Sequence, residues 1–303
     1  MLGYLFLAIA LIAGVSKGYC GKMISGRIST VSDSVLANTL RMLSCIVIGF
    51  FFVIIESGFP ALAVERATLL TALLSGVCSS LFVISWLFAV KESAYMMVET
   101  FLLAGTMIPI TLSAALFDEE IRIIQGVGLV ILFIAVYIMS TYNTSIKGKM
   151  SFKSLLPLIA AGLANGFADF SQKLFARTAE QDTAAAFNFY TYIFAAATLL
   201  AFYVILSIRK RNKQTCEKSG GLILLRSIWG YILIMAVCLF ANSYFKTLAG
   251  AHITATELYP LNQGASVILS LLMARVCFKE RINAKCIIGI LLAFAAMMLI
   301  NVL

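Results

Sequence analysis

The sequence predicts an all-α polytopic membrane protein of ten transmembrane helices, arranged as two inverted five-helix repeats. Three observations carry that expectation. The chain has 303 residues, of which 61% are hydrophobic and only 12% charged, against about 45–50% apolar and about 25% charged in soluble domains. Its apolar residues fall into stretches of about 20, the length that crosses roughly 30 Å of hydrocarbon. Its second half also repeats the order of residue types in the first. A folded soluble domain still leaves about a quarter of its unfolded surface wet, so this composition excludes a soluble enzyme, and equally a disordered or collagen-like chain.

Taken in order, the candidate spans lie near 2–22, 33–55, 67–90, 93–116, 122–142, 153–173, 183–208, 225–247, 252–277 and 284–303. They are apolar at nearly every position, unlike the alternating strands of an outer-membrane barrel. The first is no signal peptide, because no basic residue precedes it and similar segments follow. The longest polar stretch runs from about Arg209 to Arg226, too short for a soluble domain, so function is expected inside the membrane. The seven cysteines are scattered and lack a CxxC, which reads as small apolar packing. The sequon Asn143-Thr144-Ser145 reads as chance.

The formal net charge of +9 reflects Lys and Arg gathered at helix ends, where they bias insertion and meet anionic headgroups. No basic face interleaved with stacking aromatics points to nucleic acid. Segment ends and loops after the odd-numbered spans hold 18 Lys and Arg, and the other side holds five. The positive-inside rule then places the first side in the cytoplasm of a bacterial plasma membrane and both termini outside.

The repeat is the most informative feature. A shift of 161 lays 87–142 on 248–303 without a gap: Leu87 meets Leu248, Ala104 meets Ala265 and Gly128 meets Gly289. Phe117-Asp118-Glu119-Glu120-Ile121 meets Phe278-Lys279-Glu280-Arg281-Ile282. A shift of about 150 relates the earlier parts, bringing Lys22 near Lys173 and Asn38 onto Asn188. The units divide as 1–146 and 147–303. Five spans is an odd number, so the second unit enters from the opposite side, the inverted architecture many secondary transporters use for alternating access.

Two five-helix units, each with an aromatic-x-Glu-x-Ile corner between its fourth and fifth helices and a glycine in the fifth, resemble the EamA-like branch of the drug/metabolite transporter superfamily. The resemblance implies a ten-helix carrier. Helices one, three, four, six, eight and nine would line a central cavity, with five and ten as scaffold. The charge count departs from many relatives, which keep both termini in the cytoplasm.

An ionisable group at the bilayer centre costs about 2.5–3.5 kcal/mol on insertion scales and is a functional candidate by default. Glu99, in the fourth span, is the foremost: it could carry a proton or neutralise a cation. Glu257 follows, in a stretch where Pro260 and Gly264 would bend the ninth span beside Asn262 and Gln263. Irregular backbone at that depth is tolerated only against protein or a wet cavity. In the sixth span Asn165, Asp169 and Lys173 are spaced by four and share a face, with Gln172 alongside, and an Asp169–Lys173 pair is the structural alternative. Lys22 is the repeat partner of Lys173. Asn242, Tyr244 and Lys246 mark the eighth span, and Trp86 the third.

The substrate-binding set is therefore Glu99, Glu257, Asn262, Gln263, Asn165, Asp169, Lys22, Lys173, Trp86, Asn242 and Tyr244. Phe187, Phe189, Tyr190 and Tyr192 read as belt or gate packing, and Glu119 and Glu280 as helix-dipole partners. The expected activity is secondary transport of a small polar organic metabolite, with protons as the candidate coupling ion. No cofactor or metal is expected; the lone His252 and the lack of GxSxG or HExxH argue against an intramembrane enzyme. A non-transporting scaffold or accessory subunit is the alternative, and an oligomer stays open. Carboxylates beside aromatics would suit a cation, Lys22 and Lys173 an anion, and an amino acid both.

Overall fold

The computed structural model describes residues 2–28, 30–93, 95–117, 123–147, 152–179, 181–213, 221–279 and 284–301. Among these the chain is all-helical: α1 (Leu2–Ser25), α2 (Val31–Ser57), a 3-10 turn (Phe59–Leu62), α3 (Arg66–Glu92), α4 (Tyr95–Gly105), α5 (Met107–Phe117), α6 (Ile123–Lys147), α7 (Phe152–Thr178), α8 (Ala184–Lys213), α9 (Gly221–His252), α10 (Ala255–Val276) and α11 (Ala284–Asn301). Six stretches of the described chain are long and apolar enough to cross a membrane: Leu2–Ser25, Val31–Ser57, Arg66–Glu92, Met97–Phe117, Ala184–Ile208 and Ser227–His252. The protein is an integral membrane protein. Outside those six, α7 and α10 carry Asn165, Asp169, Gln172 and Lys173, and Glu257, Asn262 and Gln263, the polar residues expected of a site.

Local chemistry sets the helix ends. Thr30 and Asp33 form a reciprocal capping box at the start of α2, satisfying donors that a helix N-terminus otherwise leaves orphaned. Gly58 then takes φ +76°, a left-handed conformation that favours glycine. It turns the chain into Phe59–Leu62, whose last carbonyl accepts from the Tyr190 hydroxyl of α8 at 2.6 Å. At the start of α3, Asp182 accepts from the Glu65 amide at 2.9 Å and from the Thr68 hydroxyl. A carboxylate there meets the positive end of the helix dipole.

The fourth predicted span differs from expectation. It is two helices, α4 and α5, interrupted at Thr106, whose amide and hydroxyl both turn back to the Leu103 carbonyl. The interruption sits at a crossing of bare backbones. A side chain at Gly105 would strike the Gly162 carbonyl, one at Gly166 would strike the Gly105 carbonyl, and one at Gly162 would come within 2.7 Å of the Phe101 carbonyl. Gly162-x3-Gly166 thus lets α7 lie directly on α4, the close approach that small residues permit in membranes. The bend expected at Pro260 and Gly264 is absent as a break: α10 runs as one helix from Ala255 to Val276.

Packing is between elements far apart in sequence. α1 lies along α9, α3 along α7, α2 on α8, α6 on α11, and α4 on α10. One buried cluster is centred on Trp86, Tyr95, Met97 and Leu103. A second lies between α2, α8 and α9 around Met42, Phe187 and Phe240. Leu5, Leu70, Phe133 and Leu291 are exposed on the outer surface, as lipid-facing positions should be. Cys20, Cys45, Cys78, Cys238 and Cys277 are unbridged thiols. Asn143-Thr144-Ser145 lies within α6 and not in a loop. Glu119 and Glu280 lie outside the described residues.

Candidate functional site

Six helices, α1, α3, α4, α7, α9 and α10, converge on a polar hollow of about 60 Å³. α1 contributes the face bearing Leu11, Gly14 and Gly18, spaced to stack on one side of a helix. The glycines make room for their neighbours. A Cβ at Gly14 would stand 3.0 Å from the Asn242 amide nitrogen, and one at Gly18 would collide with the Tyr95 hydroxyl. Asn242 is held there by donating to the Ala10 carbonyl at 2.7 Å.

Glu99 lies one turn into α4 and is 5% exposed. Its carboxylate accepts from the Tyr95 and Ser266 side chains and faces Lys17. A buried carboxylate needs such partners, because an uncompensated charge is costly away from water. Across the hollow Lys246 reaches over from α9 to the Asp169 carboxylate of α7 at 2.5 Å. The Asn165 amide donates to the other Asp169 oxygen at 3.4 Å, and the Tyr259 hydroxyl donates to the Asp169 backbone carbonyl at 2.6 Å. Asn262 and Gln263 complete the wall from α10, and the Asn262 carbonyl oxygen is buried without a partner. An unsatisfied buried acceptor in a cavity wall is what a hydrogen-bonding guest would use.

Of the residues expected to bind a solute, Trp86, Glu99, Asn165, Asn242, Asn262 and Gln263 line this hollow together. Asp169 stands behind it, holding Lys246. The expected alternative pairing of Asp169 with Lys173 is replaced by this cross-helix pair. The other four stand elsewhere. Lys22 donates to the Val90 carbonyl near the end of α3, and Lys173 donates to the Gly250 and Ile253 carbonyls at the end of α9. Each therefore serves the orphan carbonyls and negative dipole of a helix C-terminus. Tyr244 donates to Glu56 and lies edge-on to Phe52 at 4.9 Å, in the α2–α9 contact. Glu257 is in the first turn of α10, where it suits the dipole and accepts from the Tyr4 hydroxyl at 3.4 Å. The aromatic group at the start of α8 packs as expected, with Phe187 stacked on Phe175 at 4.3 Å.

Sequence reasoning missed Lys17 and Tyr95, and it marked Lys246 in the eighth span without placing it in the binding set. Lys17 is half-buried inside α1 over the Phe82 ring at 5.8 Å, yet it counts among the helix-end charges in a simple tally. Two signals were available. Lys17 falls between Gly14 and Gly18, three residues from the first, and Lys246 follows Asn242 by four, so both share a face with cavity residues.

Different contacts gather at the two ends of these helices. Tyr19 stacks on Phe278 at 5.8 Å, Tyr95 meets Phe278 edge-on at 5.7 Å, and Lys22 stands over both Tyr95 and Phe278. At the opposite end Leu7, Ala249, Ile253 and Leu258 form an apolar plug, and a Cβ at Gly3 would stand 3.0 Å from the His252 Cβ. Among the described residues no group of His, Cys, Asp or Glu is placed to hold a metal ion.

The profile of the EamA-like transporter family matches residues 152–302. No curated protein matches the sequence. Among solved structures, one described only as a crystal structure of a protein matches with a TM-score of 0.65 at 13% identity, over 98% of this chain and 95% of that one. At that identity the likeness concerns the fold.

Proposed function

From the membership of residues 152–302 in the EamA-like transporter family, we propose that the chain is a secondary transporter that moves a small polar organic metabolite by alternating access. The observation that carries this reading is the polar hollow itself. A dry helical bundle has no use for Glu99, Lys17, Asn165, Asn242, Asn262 and Gln263 facing one space, because each raises the cost of burial.

The ten-span inverted arrangement, with halves 1–146 and 147–303, has support from the packing. Count α4 and α5 as one span. Exchanging each helix of the first half with its counterpart in the second turns the α1–α9 contact into the α7–α3 contact, and returns α2–α8, α6–α11 and α4–α10 to themselves. Lys22 and Lys173 serve the ends of α3 and α9 in the same way. Asn38 and Asn188 each donate to the carbonyl four residues earlier. Two halves so alike can exchange conformations at similar energy, which is what alternating access requires.

Glu99 is the proposed proton carrier, and Tyr95, Ser266 and Lys17 are the groups that face it. The test is uptake into proteoliposomes driven by an imposed pH gradient. Glu99→Gln should abolish gradient-driven uptake while leaving solute exchange at zero gradient measurable. Unchanged driven uptake would remove Glu99 from the coupling. Absence of both uptake and exchange from the unsubstituted protein would favour a non-transporting scaffold. Placement in a bacterial plasma membrane with both termini outside belongs to the same proposal, and the basic side of the chain supports that orientation. Lys17 and Arg41 lie inside α1 and α2, but setting them aside leaves the bias with its sign. Labelling of a cysteine at 216 from outside intact cells would reverse that orientation.

A further inference from the structure

Arg41 lies well inside α2 and is 4% exposed. Its Nε and Nη2 are buried with no hydrogen-bond partner. A guanidinium keeps its charge at any ordinary pH, and a permanent charge at membrane depth without a counter-ion is costly. Cys45 and Tyr192 lie in its field, and both spend their protons elsewhere. The Cys45 thiol donates to the Ala236 carbonyl at 3.4 Å, and the Tyr192 hydroxyl to the Leu239 carbonyl at 3.3 Å. As neutral donors, neither supplies a negative charge.

The charges around Arg41 do not balance. Lys246, Arg41, Glu99 and Asp169 all act on Lys17, so these five side chains form one electrostatic group. Glu99 answers Lys17, and Asp169 is paired with Lys246. Three positive charges against two negative leave an excess of one, even with Glu99 ionised. Among the described residues no carboxylate answers Arg41, so the excess falls there. Arg41 borders a recess of about 20 Å³ whose walls include Lys17, Val83, Met235 and Leu239 and, among the described residues, no acidic side chain. A single water needs about 10–15 Å³ of such space. The recess therefore takes one particle of that order and excludes an organic acid, a phosphate or a sulfate. Lys17, Phe82 and Trp86 also line the main hollow, so the two spaces adjoin.

We propose that Arg41 binds one chloride ion in this recess, and that the ion supplies the negative charge that balances the group of five. Nε and Nη2 lie on one side of the guanidinium and present two parallel N–H donors. Charge-assisted bonds of this kind are the strong ones. The apolar walls keep the local dielectric low, which strengthens the attraction between ion and guanidinium. A water molecule would fit the same space and accept from the same nitrogens, but it would leave the excess charge where it is. The site stands on Arg41, the recess and the charge count, and is independent of the proposed transport activity.

The experiment measures thermal stability of the full chain in detergent, in sodium chloride and in sodium gluconate at equal ionic strength and neutral pH. Gluconate is too large for the recess. Chloride is expected to raise the melting temperature along a saturating curve, and bromide to do the same. Arg41→Met should shift that curve to at least about tenfold higher chloride. In gluconate the variant should melt no lower than the unsubstituted protein, since an unbalanced charge is gone. A second measurement needs no variant and decides the matter if Arg41→Met does not fold. Crystals of the unsubstituted protein grown in bromide should show an anomalous peak within hydrogen-bond distance of the Arg41 Nε. The proposal is overturned if chloride and gluconate give the same melting temperature, or if the chloride response persists unshifted in Arg41→Met. It is equally overturned if the density at Arg41 carries no anomalous signal, which is the mark of an ordered water only. None of these readouts uses transport, so failure of the transport proposal and failure of the chloride site are told apart.

Discussion

The Asp169–Lys246 pair shows what a single buried contact demands. Both side chains are buried, at 1% and 7% exposure, and Asn165 supplies a further donor to the carboxylate. Breaking such a pair leaves one uncompensated charge and typically costs about 3–5 kcal/mol, whereas replacing both partners with apolar groups is often neutral. Lys246→Met should therefore lower the midpoint of chemical unfolding sharply, and Asp169→Leu combined with Lys246→Met should recover most of the loss. Equal midpoints for single and double variants would show that the pair is solvated. Gly105 makes the opposite demand, for absence of atoms. A methyl there meets backbone, which cannot swing aside. Gly105→Ala should destabilise by about 1–3 kcal/mol, the usual cost of overpacking, seen as a lower melting temperature. Of these two features, the polar face with Asn165 and Asp169 was legible in the sequence as a spacing of four. Its partner was not, because Lys246 arrives from a helix 77 positions away.

At the scale of elements, helix ends explain most of the polar residues that looked functional and are not in the hollow. Lys22, Lys173 and Glu257 all sit where a helix terminus leaves orphan groups and a partial charge. A sequence reports that a charge lies in an apolar stretch; it does not report which neighbouring terminus the side chain can reach. Lys173→Met is expected to cost about 1.5–3 kcal/mol, as for hydrogen bonds from a charged donor. It should lower the melting temperature while leaving solute selectivity unchanged in proteoliposomes. A change of selectivity at full stability would return Lys173 to the binding set. Asp182, which escaped notice in the sequence, caps α3 from the α7–α8 connection, and Asp182→Ala should cost about 0.5–2 kcal/mol of stability. Helix existence was readable from apolar runs. The interruption at Thr106 was not, because the glycines that press on it, Gly162 and Gly166, belong to another helix.

For the whole molecule, the proposed exchange of access needs each end of the hollow to open. The plug at the α1 and α9 end offers a direct lock, since the Cβ positions of 3 and 252 approach closely. A Gly3→Cys, His252→Cys protein should form a disulfide under oxidation, stop uptake and regain it on reduction. Uptake continuing through the oxidised form would show that this end does not gate. The order of apolar stretches was enough to anticipate the helices. It could not place Arg41, because a tally of basic residues treats a guanidinium inside α2 as one more charge at the boundary.

The lysine ties also have a mechanical meaning. Lys22 fastens α1 to the tail of α3, while Lys173 and the Asp169–Lys246 pair fasten α7 to α9 at two heights. Sliding either member past its mate would strip a charge of its partners in a medium with no water to replace them. Any shape change therefore finds its softest seam elsewhere, along the contact of α3 with α7 and that of α1 with α9, where the Asn242–Ala10 hydrogen bond must part, so that the helices should travel as riveted couples and the yielding surface is the one between them.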